Sequence, residues 1–223
     1  MAALLRDRAR EVYRRAVAVT GARRTVGRRV MDDLERDMMR RAREFEATRE
    51  ARMHDTYRRA PISTDEANAL LSLWGSHQRS GALIRLWGNV AEIDRPAMLA
   101  EWWPQLDFTW AYRSDLLGMF VECGWIGTEA RPTDPVVLYR GVAVRSHRRG
   151  LSWTTNEKMA ANFAAAYRNA RSAGTLEGYV FTATVPPDAI VAHLTDRRED
   201  EYVVNYSLMP RVRLLRTIQI ERD

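Results

Sequence analysis

The feature that most constrains this chain is a change of hydrophobic period at Arg131-Pro132-Thr133-Asp134-Pro135. Before it, apolar residues recur at three- and four-residue intervals. After it, short runs of β-branched and aromatic residues are set between polar ones. The stretch itself is a linker by composition. Beyond it, strands are predicted at 136–140, 151–155, 178–185, 189–194, 201–206 and 212–220, with a turn at Pro186-Pro187-Asp188. One helix, about 156–170 and capped by Asn156, lies among them. A single intervening helix implies non-local strand pairing, and the other helices are segregated at the front. The fold class is therefore α+β.

The helical front has two textures. Residues 3–19 read as one helix with Leu4, Leu5, Val12 and Ala16 on one face, broken at Thr20-Gly21. A longer helix is predicted over 25–59, with Val26, Val30, Leu34, Met38 and Phe45 as a narrow apolar stripe. Elsewhere on its surface arginines alternate with acidic residues at spacings that permit i,i+4 ion pairs. Residues 1–60 hold 17 Arg against 10 Asp plus Glu, a net of +7 where the whole chain carries +6. This basic arm is either a solvated, coiled-coil-like helix or a surface that rests on an acidic partner such as nucleic acid.

Pro61 ends the arm, and Ser63-Thr64-Asp65-Glu66 is a capping box that opens the next helix. Further helices fit 80–90, 95–103 and 109–122. Trp102-Trp103-Pro104 reads either as a stacking platform or as core, and tryptophans at helical spacing favour core. His77, with no second His or Cys nearby, reads as a helix-end histidine. The organisation expected is a basic helical arm over 1–60, a helical region over 61–130 that packs on the rest, and a β-rich part over 131–223.

Hydrophobic residues make up 46% of the 223, enough for a sizeable core. Cys123 is the only cysteine, so no intramolecular disulfide can form, and a buried small hydrophobe is expected there. Neither a signal-peptide core nor an apolar run of membrane-spanning length is visible, which leads to the expectation of a cytoplasmic protein without a membrane partner. The oligomeric state is not legible.

Three stretches of the β-rich part carry chemistry. Arg140 ends the run Val136-Val137-Leu138-Tyr139 and is followed by Gly141. A guanidinium there can grip a diphosphate bidentately, with Gly141 admitting a ligand to the backbone; a structural ion pair is the plainer alternative. Ser152 and Thr154 alternate with Trp153 and so share one strand face. Glu199 and Glu201 share a face by the same rule. Paired carboxylates can flank a scissile glycosidic bond and stabilise an oxocarbenium-like transition state, or they can be an acidic loop entering a strand.

In order and spacing these stretches resemble the ADP-ribosyltransferase family, in its Arg–Ser–Glu branch. Tyr139-Arg140-Gly141 is similar to that family's aromatic–Arg strand. Ser152-Trp153-Thr154 is similar to its Ser-Thr-Ser strand, with tryptophan at the middle position. A helix with small residues follows, here Glu157 to Ala166, and Glu199-Asp200-Glu201 is similar to its Glu-x-Glu. The resemblance covers about residues 131–223.

It implies a split β-sandwich with NAD+ as substrate in a cleft between two small sheets, and no metal. Arg140, with Tyr139, Gly141 and Thr154 around it, would hold NAD+. Ser152 would orient Glu201, Glu201 would act on the nicotinamide ribose, and Glu199 would act on the acceptor. Thr195-Asp196-Arg197-Arg198 would contact that acceptor. The Glu at position 199 implies protein arginine, while Arg197, Arg198 and the basic arm suit RNA or DNA. A NAD+ glycohydrolase on the same site and a non-enzymatic binding protein are the other readings.

Overall fold

The computed structural model describes residues 24–57, 61–107, 109–166, 176–195 and 200–220. The helix predicted at 3–19 lies outside them, as do Asp196, Arg197, Arg198 and Glu199. Two compact units divide the chain, Met1–Gly75 and Ser76–Asp223. The division falls inside the helical stretch 61–130 rather than at either of its ends.

In the N-terminal unit, α1 (Arg24–Tyr57) is followed by α2 (Thr64–Ser72). The expected ion pairs form along α1: Arg41 Nε stands 2.8 Å from Asp37, and Arg40 lies 3.0 Å from Glu44. The predicted stripe does not extend to Phe45, which is 42% exposed. Met53 and Arg49 are buried instead. Arg49 tolerates burial because its guanidinium lies 3.6 Å from the centre of the Trp74 ring, a cation–π contact. The Ser63 half of the predicted capping box forms, with Ser63 Oγ accepting from the Glu66 N–H at 3.2 Å.

The C-terminal unit opens with α3 (Ser76–Leu86), α4 (Arg95–Trp102) and α5 (Arg113–Cys123). Leu83, Leu86, Met98, Leu99, Leu116 and Phe120 are fully buried among them. Seven strands follow: β1 (Ile126–Gly127), β2 (Val136–Val142), β3 (Ser152–Thr154), β4 (Glu177–Val185), β5 (Ile190–Leu194), β6 (Glu201–Val204) and β7 (Arg213–Gln219). The helix α6 (Glu157–Ala165) lies between β3 and β4, and its Asn156 cap accepts from the Met159 N–H at 3.1 Å. Six strands match the predicted runs. β1, two residues long, is too short to show alternation. No helix among the described residues is long and apolar enough to cross a membrane.

The strands lie in the order β1-β5-β6-β3-β2-β4-β7, antiparallel throughout except for the parallel pair β1–β5. Hydrogen bonding therefore runs through one mixed sheet instead of two separate small ones. Its continuity is thin at one place. β2 pairs with β4 from Val136↔Val185 to Val142↔Tyr179, but with β3 only at Tyr139↔Thr154. This seam positions the site described below.

One face of the sheet carries the main core, including Leu138, Trp153, Phe181, Tyr202 and Val204. Against the other face α6 packs through Ala160 and Ala164 onto Val180. The approach is close enough to dictate two glycines. A Cβ on Gly141 would lie 1.7 Å from the Ala160 carbonyl oxygen, and one on Gly178 would lie 2.1 Å from that of Ala164. The backbone access at Gly141, expected to serve a ligand, is thus used by α6.

Candidate active site

A cavity of about 360 Å³ opens at the seam. Tyr139, Arg140, Gly141, Ser152, Thr154 and Glu201 line it from the sheet. These are all the predicted site residues that fall among the described ones. A second wall comes from the end of α4 and the turn beyond it, with Trp103, Pro104, Leu106, Asp107 and Thr109. Of these, only Trp103 and Pro104 fall in a stretch for which the sequence offers a ligand-facing role, the stacking platform at Trp102-Trp103-Pro104.

Strand register explains the convergence. β3 and β6 run antiparallel with Ser152 opposite Val203, Trp153 opposite Tyr202 and Thr154 opposite Glu201. Alternation then puts Ser152, Thr154, Glu201 and Val203 on one face. Ser152 is the diagonal neighbour of Glu201, within reach of a side-chain bond. Its hydroxyl donates to Glu201 Oε1. Trp153 and Tyr202 occupy the opposite face and enter the core, Trp153 at 2% exposure. That is why a tryptophan is accommodated between two cavity-facing hydroxyls. Its indole N–H is satisfied by the Gly150 carbonyl at 2.9 Å. The Thr154 hydroxyl accepts from the Asn156 N–H at 3.1 Å, so this residue also shapes the entry into α6.

Arg140 joins the seam from the β2 side. Its Nε donates to the His147 carbonyl at 3.1 Å and its Nη1 to the Ser152 carbonyl at 2.6 Å. Two of five guanidinium donors therefore tie β2 to the turn at 145–149 and to β3. Burial pushes the guanidinium down to about 10, while the Glu201 carboxylate pulls it the other way, and the group stays cationic at neutral pH. Gly150 makes room for it: a Cβ there would stand 2.1 Å from Nη2. Arg140 thus supplies structure and positive field together.

Three further groups act on the same centre. The indole N–H of Trp103 donates to Glu201 Oε1 at 2.7 Å. Asp200, just before Glu201, adopts φ 45°, a left-handed conformation that Asp tolerates better than most residues. Its carboxylate meets His193 Nε2 at 2.7 Å and accepts from the Thr155 hydroxyl. His193 is fixed in turn by stacking on Tyr202, with ring centres 4.1 Å apart. Asp200 therefore clamps the start of β6 between two neighbouring segments. Polarity alone did not single it out, because it sat between two glutamates that drew the chemical reading.

Cys123 takes no part. It is only partly buried, short of the buried hydrophobe expected, and burial with the nearby Glu122 pushes its thiol up to about 11. His77 stands at the start of α3, with Nδ1 3.6 Å from Asp107.

His147 carries a pH dependence. Its ring stacks on Trp110 at 4.3 Å, and its carbonyl receives Arg140. Burial, then the charges of Arg140 and Arg113, hold its imidazole below the usual histidine range. The unfolded chain therefore binds this proton more readily than the folded one. The stability concerned is complete above roughly pH 6.5 and is lost as pH falls from there toward the lower folded value. Between about pH 7 and pH 5, the parent should lose more thermal stability than His147→Gln, whose side chain does not titrate. Equal losses in the two proteins would contradict this assignment.

Comparison of the chain with protein-family models, with curated proteins and with solved structures finds no match.

Proposed function

We propose that the chain is a mono-ADP-ribosyltransferase that moves the ADP-ribosyl group of NAD+ to a macromolecular acceptor, protein arginine, and releases nicotinamide. The observation that carries this reading is the meeting of Arg140, Ser152 and Glu201 in one cavity, with the Ser152 hydroxyl on the Glu201 carboxylate. Those are the three residues for which the sequence resembles the Arg–Ser–Glu branch. The same reading takes the seam between β2 and β3 as the cleft of that family's split sheet. A cavity of about 360 Å³ falls in the range of small-molecule sites and suits the reacting end of a dinucleotide.

The residues fit the chemistry. Breaking the glycosidic bond sends its electron pair to the nicotinamide ring and leaves positive charge on the ribose. Glu201, oriented by Ser152, faces that charge. The cationic Arg140 suits the diphosphate, which the remaining guanidinium donors would hold. The acceptor nitrogen then bonds to the ribose carbon and gives up a proton, a role that falls to Glu199.

Two measurements test the reading. Protein label resistant to nuclease is expected when the purified chain is incubated with adenylate-labelled NAD+ and cell lysate. Label removed by nuclease and not by protease would move the acceptor to nucleic acid. Glu199→Gln is expected to lose transfer while keeping some nicotinamide release, since water needs less positioning than a guanidinium. Normal transfer by that variant would remove Glu199 from acceptor activation.

A further inference from the structure

We propose that Trp103 is a positioning residue for Glu201, holding through its indole N–H the same carboxylate oxygen that Ser152 holds. The inference deepens the transfer reading above and rests on it. It also makes the helical stretch before the sheet a contributor to the reactive centre, outside the 131–223 span of the resemblance.

The geometry is specific. Indole Nε1 stands 2.7 Å from Glu201 Oε1, across 98 residues of sequence. Trp103 is 3% exposed, and its ring meets the fully buried Phe120 edge-to-face, with centres 4.9 Å apart and planes at 85°. The indole therefore cannot swing away without opening the core. A serine hydroxyl rotates and can donate elsewhere, whereas an indole N–H only donates, along a direction set by its ring. Bonds to an ionised acceptor are among the stronger hydrogen bonds, more so where water is excluded. Two donors on Oε1 thus favour the charged carboxylate and fix its plane, with Trp103 the rigid member.

Trp103→Phe keeps an aromatic ring against Phe120 and removes the donor. In this variant kcat for nicotinamide release should fall roughly tenfold or more, with KM for NAD+ near the parent value. The acid limb of the kcat profile should move to higher pH, because the carboxylate loses a bond to its charged form. Phe120→Leu keeps the N–H but removes the ring that braces the indole, so stability should drop while the acid limb moves less than in Trp103→Phe. A parent that turns over NAD+ beside a Trp103→Phe variant with an unmoved acid limb would overturn the inference.

A second measurement does not depend on activity. The chain has seven tryptophans, and the Trp103 indole ¹⁵N–H resonance can be assigned by through-bond correlation. Glu201→Gln should shift it more than the other six. An unmoved resonance would overturn the inference even if Trp103→Phe fails to fold. A shifted resonance in a chain that never turns over NAD+ would sustain the Trp103–Glu201 contact and sink the transfer reading instead.

Discussion

Replacing Glu201 by glutamine should lower nicotinamide release from NAD+ by about a hundred-fold or more. The substitution keeps the size of the side chain and an oxygen that can still accept from Ser152 and Trp103, the two donors on Oε1. What disappears is the negative charge. Preorganised charge in a partly buried cavity acts on the transition state with little screening, and a neutral amide cannot replace it. The loss should lie in kcat, because the ribose develops its charge only as the bond breaks. Release of nicotinamide by Glu201→Gln at the parent rate would mean that the carboxylate does not act on this bond. Thermal stability needs to be measured in parallel, since Arg140 loses the neighbouring carboxylate that favours its charged form.

Gly141→Ala should be strongly destabilising for so small a change. The added methyl would be placed 1.7 Å from the Ala160 carbonyl oxygen and 2.8 Å from the Ala164 nitrogen. Both are helix backbone atoms, so no side chain can rotate out of the way; α6 must lift off the sheet or β2 must bend. Overpacking of this kind costs about 3 kcal/mol, at the upper end of the usual range. In a chain of this length that is a fall of roughly 6–12 °C in Tm. Gly118→Ala provides the contrast. It sits in the middle of α5 with nothing within 4 Å of the added atom, so a gain of about 0.5–1 kcal/mol is expected. Similar Tm values for the two variants would refute the packing account of Gly141.

What could be read in advance follows from how far each signal extends along the chain. Ser152 and Glu201 were legible because each is a polar residue that opens a strand, and Arg140 because it follows an apolar run inside one; alternation alone puts Ser152 and Thr154 on one face. Register then brings Glu201 to that face. Trp103 was not legible, because its two roles look the same in sequence. It packs on Phe120 as a core tryptophan does, and only its indole edge, meeting a residue 98 positions away, belongs to the site. Gly141 shows a different limit. A glycine at a strand end signals close approach without saying what approaches, and here it is α6. On α1 the period pointed to Phe45, yet the aromatic ring of Trp74 made burial of Arg49 the better solution. Hydrophobic pattern cannot anticipate a cation buried against a ring.

The central claim is that the seam cavity takes NAD+ and breaks its nicotinamide bond. Its most direct test is to titrate the purified full chain with NAD+ in a calorimeter and to follow nicotinamide release in the same samples. Saturable binding is predicted for both the parent and Glu201→Gln, with nicotinamide released by the parent and almost none by the variant. Absence of saturable NAD+ binding in a folded parent chain, or equal release by the two proteins, would contradict the account.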